Sequence, residues 1–237
     1  MKDRLRSLIK KHKLLFFAVM LLRHPWLSVI SWLYGSYLTY RYVDEYQSFP
    51  AIKFTGSVIR LKIHKANDSS LILKGKLLIT PFIGGVAPSI LSLAKDSVCT
   101  VNGDFIIGDD VRIQLSEGAY LKLEGKQKSS GSGVTCQSKI LVAKSVTIGA
   151  DSIISWGTFI TDSDHHLINE KLSSIETRIG KHVWLAAGCQ ILKGSVIGKN
   201  SIVAAHSVIT KGIYPDQSLL VGSPAYVKGK APLWCRE

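Results

Sequence analysis

From Val142 onward, aliphatic residues return at every sixth position. Val142, Ile148, Ile154 and Ile160 hold the step, and Ile179, Leu185, Ile191, Ile197, Val203 and Ile209 take it up again. An α-helix repeats near 3.6 residues and a strand alternates every two, so neither explains the pattern. Four residues after these anchors stand small or branched residues: Val146, Ser152, Thr158, Val183, Cys189, Ser195, Ser201, Ser207 and Ile213. Gly149, Gly180 and Gly198 directly follow an anchor, where a tight corner calls for a small residue.

A strand-and-turn unit of six residues cannot close a core by itself. Three such units form a triangular coil of eighteen with every anchor pointing inward, and stacked coils bury a continuous column. Each side becomes a parallel sheet with coils about 4.8 Å apart. This is the hexapeptide-repeat signature, and it resembles the left-handed parallel β-helix, an exception to the right-handed crossover rule. The expected fold is therefore an all-β solenoid spanning residues 50–214, with a short helical N-terminal arm over 1–49 and a C-terminal capping tail over 215–237. The coils should be regular from about residue 140. Upstream, Val101, Ile107, Ile113 and Ala119 keep the step, while "KQKSSGSG" from Lys126 to Gly133 blurs it, so early coils should be irregular.

The regular series is interrupted once. After Ile160 the next anchors would fall at 166, 172 and 178, yet the pattern resumes at Ile179, one residue out of phase. A loop over 161–178 has been extruded, and loops leaving a rigid scaffold are where binding and catalytic groups tend to sit. This one opens with Asp162, Asp164, His165 and His166.

The N-terminal arm has a different pattern. Its apolar run from Leu14 to Leu22 is nine residues, broken by Arg23, His24 and Pro25 before a second run starts at Trp26. A bilayer-spanning helix needs roughly 20 apolar residues, and no small-residue cleavage site for a signal peptide follows. Two short amphipathic helices are expected, lying either on an anionic membrane surface or against the protein's own body or a sister subunit. Composition changes this picture little: 46% hydrophobic and 20% charged residues suit a globular chain. The net charge of +13 invites an anionic partner. Residues 1–49 contribute eight Lys/Arg against three Asp/Glu, so the tail alone does not account for it. The excess is mostly Lys without aromatic stacking platforms, which argues against nucleic acid. Cys99, Cys136, Cys189 and Cys235 are 37, 53 and 46 residues apart, offering no zinc spacing and reading as reduced thiols of a cytoplasmic protein.

Three stretches carry a family resemblance: "ISWGTFITDSDHHLI", "IGKHVWLAAGCQILKGSVIGKNSIVAAHSVITK" and "VGSPAYVKG", the last with Ser223 where the family closes on Gly-Asn-Pro-Ala. Over roughly Lys139 to Lys230 the chain resembles the hexapeptide-repeat acyltransferases, specifically sugar O-acetyltransferases of bacterial surface-polysaccharide synthesis and the maltose and galactoside acetyltransferases. The resemblance implies acetyl transfer from acetyl-CoA to a sugar hydroxyl. It also implies a homotrimer with active sites between subunits and a loop histidine as general base, with no metal. That base falls on His166, with His165 the competing candidate. Asp164 or Asp162 orients the imidazole or binds the sugar, with Asp164 preferred for orientation. Trp156 and Trp184 either line the acceptor or CoA groove or pack at corners.

Spacing of eighteen places Ala186 over Ala204 and Ala187 over Ala205, a smooth groove for a pantetheine arm. Lys193 over Lys211 and Lys181 over Lys199 are stacked like charges, which either meet CoA phosphates, as in the family, or form a solvated edge. The acceptor is expected to be a glycan, either free or lipid-linked at the inner face of the cytoplasmic membrane. The alternatives are N-acyl transfer to an amino sugar, a non-catalytic hexapeptide-repeat scaffold, and a zinc enzyme of the γ-carbonic-anhydrase kind. No His-x₄-His pair among the repeats supports the last.

Overall fold

The computed structural model describes residues 25–55, 61–82, 87–127, 131–168 and 170–235. Within them a single helix, α1 (Pro25–Tyr42), is followed by strands that wind into a three-faced parallel β-helix of eight coils. The first face holds eight strands, from Glu45–Tyr46 to Gly212–Tyr214. The second runs from Ile52–Phe54 to Ser218–Gly222 and the third from Leu61–Lys65 to Val208–Ile209. Parallel three-sided coils are the left-handed β-helix expected of six-residue repeats.

The sixfold anchors form the core. Ile148, Ile154, Ile160, Leu185, Ile191, Val203 and Ile209 are fully buried, as are Leu71, Leu77 and Phe105 in the early coils. Fully burying each such side chain is worth roughly 1.5–3 kcal/mol, so the column dominates stability. The small polar residues four positions on serve the corners. Ser152 donates to the Gly180 carbonyl at 3.0 Å and accepts from the Val183 N–H at 3.1 Å, tying one coil to the next. Ser195 closes its own corner by donating to the Leu192 carbonyl at 2.6 Å, and reaches the next coil at the Thr210 carbonyl, 3.1 Å away. A Cβ on Gly149 would lie 2.5 Å from the Gly180 carbonyl carbon, so glycine is required where coils press corner to corner.

Ile213, four residues after the anchor Ile209, lies outside the core. Seventeen residues, not eighteen, separate Ser195 from its partner Gly212, so Ile213 lies opposite the outward Val196 and is 84% exposed. Shortening a corner by one residue turns the strand over, because side chains alternate faces.

The two ends are capped differently. Ala225–Lys230 folds back antiparallel on Ser218–Gly222. The chain then returns so that Trp234 stacks on His182, ring centroids 4.1 Å apart. At the other end α1 lies across the first coil. Thr39 Oγ1 accepts from the Ala51 and Ile52 N–H groups, both at 3.1 Å, satisfying edge donors of that coil. The expected first helix of the arm, with its Leu14–Leu22 run, lies outside the described residues; α1 packs on the protein's own body.

Candidate functional site

The extruded loop is a β-hairpin, Ser163–Ile168 against Lys171–Ser174, leaving the corner between the third and first faces. Ile148 pairs with Ile179, 31 residues on, whereas Ile179 pairs with Ile197 after eighteen. The coil closes beneath the hairpin as if the extra residues were absent. Its neck is a network of hydrogen bonds. Asp162 is fully buried, and its carboxylate accepts from the backbone N–H groups of Ala143 (2.7 Å), Lys144 (2.8 Å) and Ser145 (2.5 Å). Its carbonyl accepts from the Ile175 N–H at 2.8 Å. Expected at a sugar, Asp162 instead pins the hairpin to the preceding coil, with no exposed surface to offer an acceptor.

Asp164 is likewise committed elsewhere. It forms an ion pair with Lys193, whose ammonium also donates to Ser173 Oγ at 2.8 Å. One lysine of the next coil thus grips both strands of the hairpin. The partner of His165 is Thr161, with Nε2 and Oγ1 2.9 Å apart. His165 also has φ 56° and donates its N–H to Ser163 Oγ at 3.1 Å. Left-handed backbone is costly for a non-glycine residue and survives where surroundings impose it. That twist turns the ring of His165 back to the neck. His166 follows it, exposed, and has no hydrogen bond to another described side chain.

Trp156 (56% exposed), Ala187 and Ala205 form one vertical column at the corner between the second and third faces. The Gly188 N–H donates to the Trp156 carbonyl at 3.0 Å, and the His206 N–H to the Ala187 carbonyl at 2.9 Å. Ala186 and Ala204 stack beside them, so the smooth strip expected from the eighteen-residue spacing exists. Trp184 stands on the second face with Nε1 donating to Ser155 Oγ at 3.1 Å. Lys211 shares the hairpin's corner with Lys193, one coil on. Its stem passes over Gly194, where an added Cβ would lie 3.0 Å from Lys211 Cγ. Within one chain the fold therefore does not bring the whole expected set together. His165, His166, Asp164, Lys193 and Lys211 sit at one corner, the alanine strip and Trp156 at another, with the third face between.

Several positions escaped the sequence reading. Thr161 and Ser173 became visible only through the hairpin's pairing. Lys62, Arg112 and Lys139 are exposed on the third face in a column that runs Lys62, Ile90, Arg112, Lys139 and then Phe159. Irregular corner lengths hid that alignment. A column of cations leading toward the coil beneath the hairpin suits an anionic partner. Among the described residues, no three His, Cys, Asp or Glu side chains converge on a metal-sized site.

A repeat profile described as bacterial transferase hexapeptide (six repeats) matches residues 176–211. Over 98 residues the chain is 33% identical to WbbJ of Escherichia coli K12, whose name marks it provisionally as a lipopolysaccharide biosynthesis O-acetyl transferase; 35% of this chain and 50% of that protein are covered. Over 118 residues it is 30% identical to the galactoside O-acetyltransferase of Lactococcus lactis, covering 47% and 56%. The chain thus spans about half the length of the curated relatives it matches. A solved structure of the polysialic acid O-acetyltransferase OatWY covers 81% of the chain and 92% of its own, at 23% identity and a TM-score of 0.47. By its matched repeats and these relatives, the chain carries bacterial-transferase hexapeptide repeats over residues 176–211 and is similar to proteins named as O-acetyltransferases.

Proposed function

We propose that the chain transfers an acetyl group from acetyl-CoA to a sugar hydroxyl in surface-polysaccharide synthesis, with His166 as general base. The observation that carries this reading is the hairpin. It is held at its neck by Asp162 and along its length by Lys193. It presents two exposed histidines, His165 with its ring engaged by Thr161 and His166 with no hydrogen bond to another described side chain. In the reaction, neutral imidazole takes the hydroxyl proton as the sugar oxygen attacks the thioester carbonyl. The tetrahedral intermediate collapses with cleavage of the C–S bond, and the imidazolium returns the proton to the departing thiolate. General-base help of this kind is typically worth about 10²–10⁴ in rate.

The separation of the two corners supports a shared site in a homotrimer. The hairpin of one copy, with Lys211 toward the CoA phosphates, would meet the strip of Ala186, Ala187, Ala204 and Ala205 and Trp156 of the next. A surface suited to association exists on the second face. Above Lys53 of the first coil, its outward column runs Leu78, Ile106, Gly133, Ile153, Trp184, Ile202 and Leu219, apolar wherever it carries a side chain from the second coil on. Acceptors held on lipid carriers would place the reaction at the inner face of the cytoplasmic membrane.

The test is acetyl transfer from acetyl-CoA to surface glycans. His166→Ala should lower turnover by at least about 10² with donor binding intact, and His165→Ala by much less. The reverse ranking would move the base to His165. A protein that binds no CoA would be a scaffold.

A further inference from the structure

We propose that the outer face of α1 docks on an anionic lipid bilayer. This reading is independent of acetyl transfer and starts from an inverted helix. On a water-soluble helix the large apolar side chains face the body and polar ones face outward. In α1 the face against the first coil is Ser31, Gly35, Leu38 and Thr39, three of them small and spaced by four. Small residues let the backbones meet: a Cβ on Gly35 would lie 2.4 Å from the Ile52 carbonyl oxygen. Leu38 is buried and Tyr34 and Tyr42 pack on the core, but six other large apolar residues point away. Val29, Ile30, Trp32, Leu33, Tyr37 and Tyr40 are 44–83% exposed. Tyr46 and Phe49 of the first coil are exposed too, with rings 5.9 Å apart.

Two observations select lipid as the occupant. The sequence running into Pro25 carries seven Lys/Arg against one Asp, together with the apolar run Leu14–Leu22. Basic residues beside apolar ones are the two signals that stable attachment to an anionic surface requires, since neither holds well alone. The exposed face itself is rich in Trp and Tyr, whose amphipathic rings favour the headgroup level. A second copy of the chain has its own apolar surface in the outward column of the second face. Among the described residues no helix is long and apolar enough to cross a membrane, so α1 would lie along the surface.

The experiment is co-sedimentation of the full chain with phosphatidylcholine vesicles, with and without phosphatidylglycerol. The full chain should bind the anionic vesicles, and raised salt should weaken that binding. Trp32→Gln combined with Leu33→Gln should reduce partitioning at least about tenfold. These side chains are exposed, so the thermal melt and the sedimentation coefficient of the variant should stay unchanged. Three results would overturn the proposal: no binding to anionic vesicles, full binding by the double variant, or a variant that loses subunits. The last would make a second copy the occupant. Failure of acetyl transfer in a separate assay would leave the vesicle result standing.

Discussion

The early and late coils share one architecture and differ in their corners. In the late coils, Leu185 pairs with Val203 and Ile191 with Ile209, always eighteen residues apart. In the early ones, Leu71 pairs with Cys99 after 28 residues, Cys99 with Leu121 after 22, and Ile107 with Val134 after 27. The inward side chains are equally buried in both regions. A coil therefore demands its three anchors and tolerates almost any length between them, provided that the surplus leaves through a corner. The hairpin is the same device used in the regular region, a surplus that also acquires side-chain contacts to hold it.

Insertion tests the comparison most severely. A Gly-Ser pair placed between Ala187 and Gly188 should destroy the stacking that His206 makes over that corner, where an added Cβ on Gly188 already meets the imidazole at 2.5 Å. We expect loss of cooperative unfolding by circular dichroism. The same pair after Gln127, in an early corner, should leave the melt nearly unchanged. Equal damage at both would mean that corner length is constrained throughout.

A smaller effect should follow from cutting the neck. Asp162→Ala leaves three backbone N–H groups without their carboxylate and should cost about 3 kcal/mol, read by denaturant titration. The least costly change is Lys193→Met. Partly exposed ion pairs contribute at most about 1 kcal/mol, so global stability should barely move. Amide exchange within 163–174 should quicken several-fold, because both strands lose their common partner. An unchanged exchange rate would show that the neck alone orders the hairpin.

The contrast also explains what was legible in the sequence. Ile179 to Ile209 could be read without error because every coil there takes eighteen residues. Past Ile209 the last corner is one residue shorter and turns Ile213 outward, a change that no pattern of residue types announces. The extruded loop was visible as a phase slip, yet the partners inside it were not. Asp162 and Asp164 are chemically alike and two residues apart; one faces a preceding corner's N–H groups and the other a lysine of the next coil. Residues two apart in a strand share a face, so it is the bend at Asp162, between Phe159–Thr161 and the hairpin strand, that separates them. The cationic column of the third face stayed hidden for the same reason as the early coils did.

The burial that builds the core also governs sulfur chemistry. Desolvation pushes the Cys99 thiol up to about 12 and the Cys189 thiol to about 11, and raises that of Cys136. In the unfolded chain these thiols ionise near their ordinary value of 9.0, so their protons favour the folded state. That contribution is complete below about pH 9 and fades as the pH rises toward 11 and then 12. At neutral pH an alkylating dye should therefore find one cysteine in the native protein, the exposed Cys235. Its neighbour Trp234 stacks on His182. A fluorophore attached there would be quenched or released as the C-terminal strap closes or lifts, giving a single-site optical gauge of that end of the solenoid without removing a native residue.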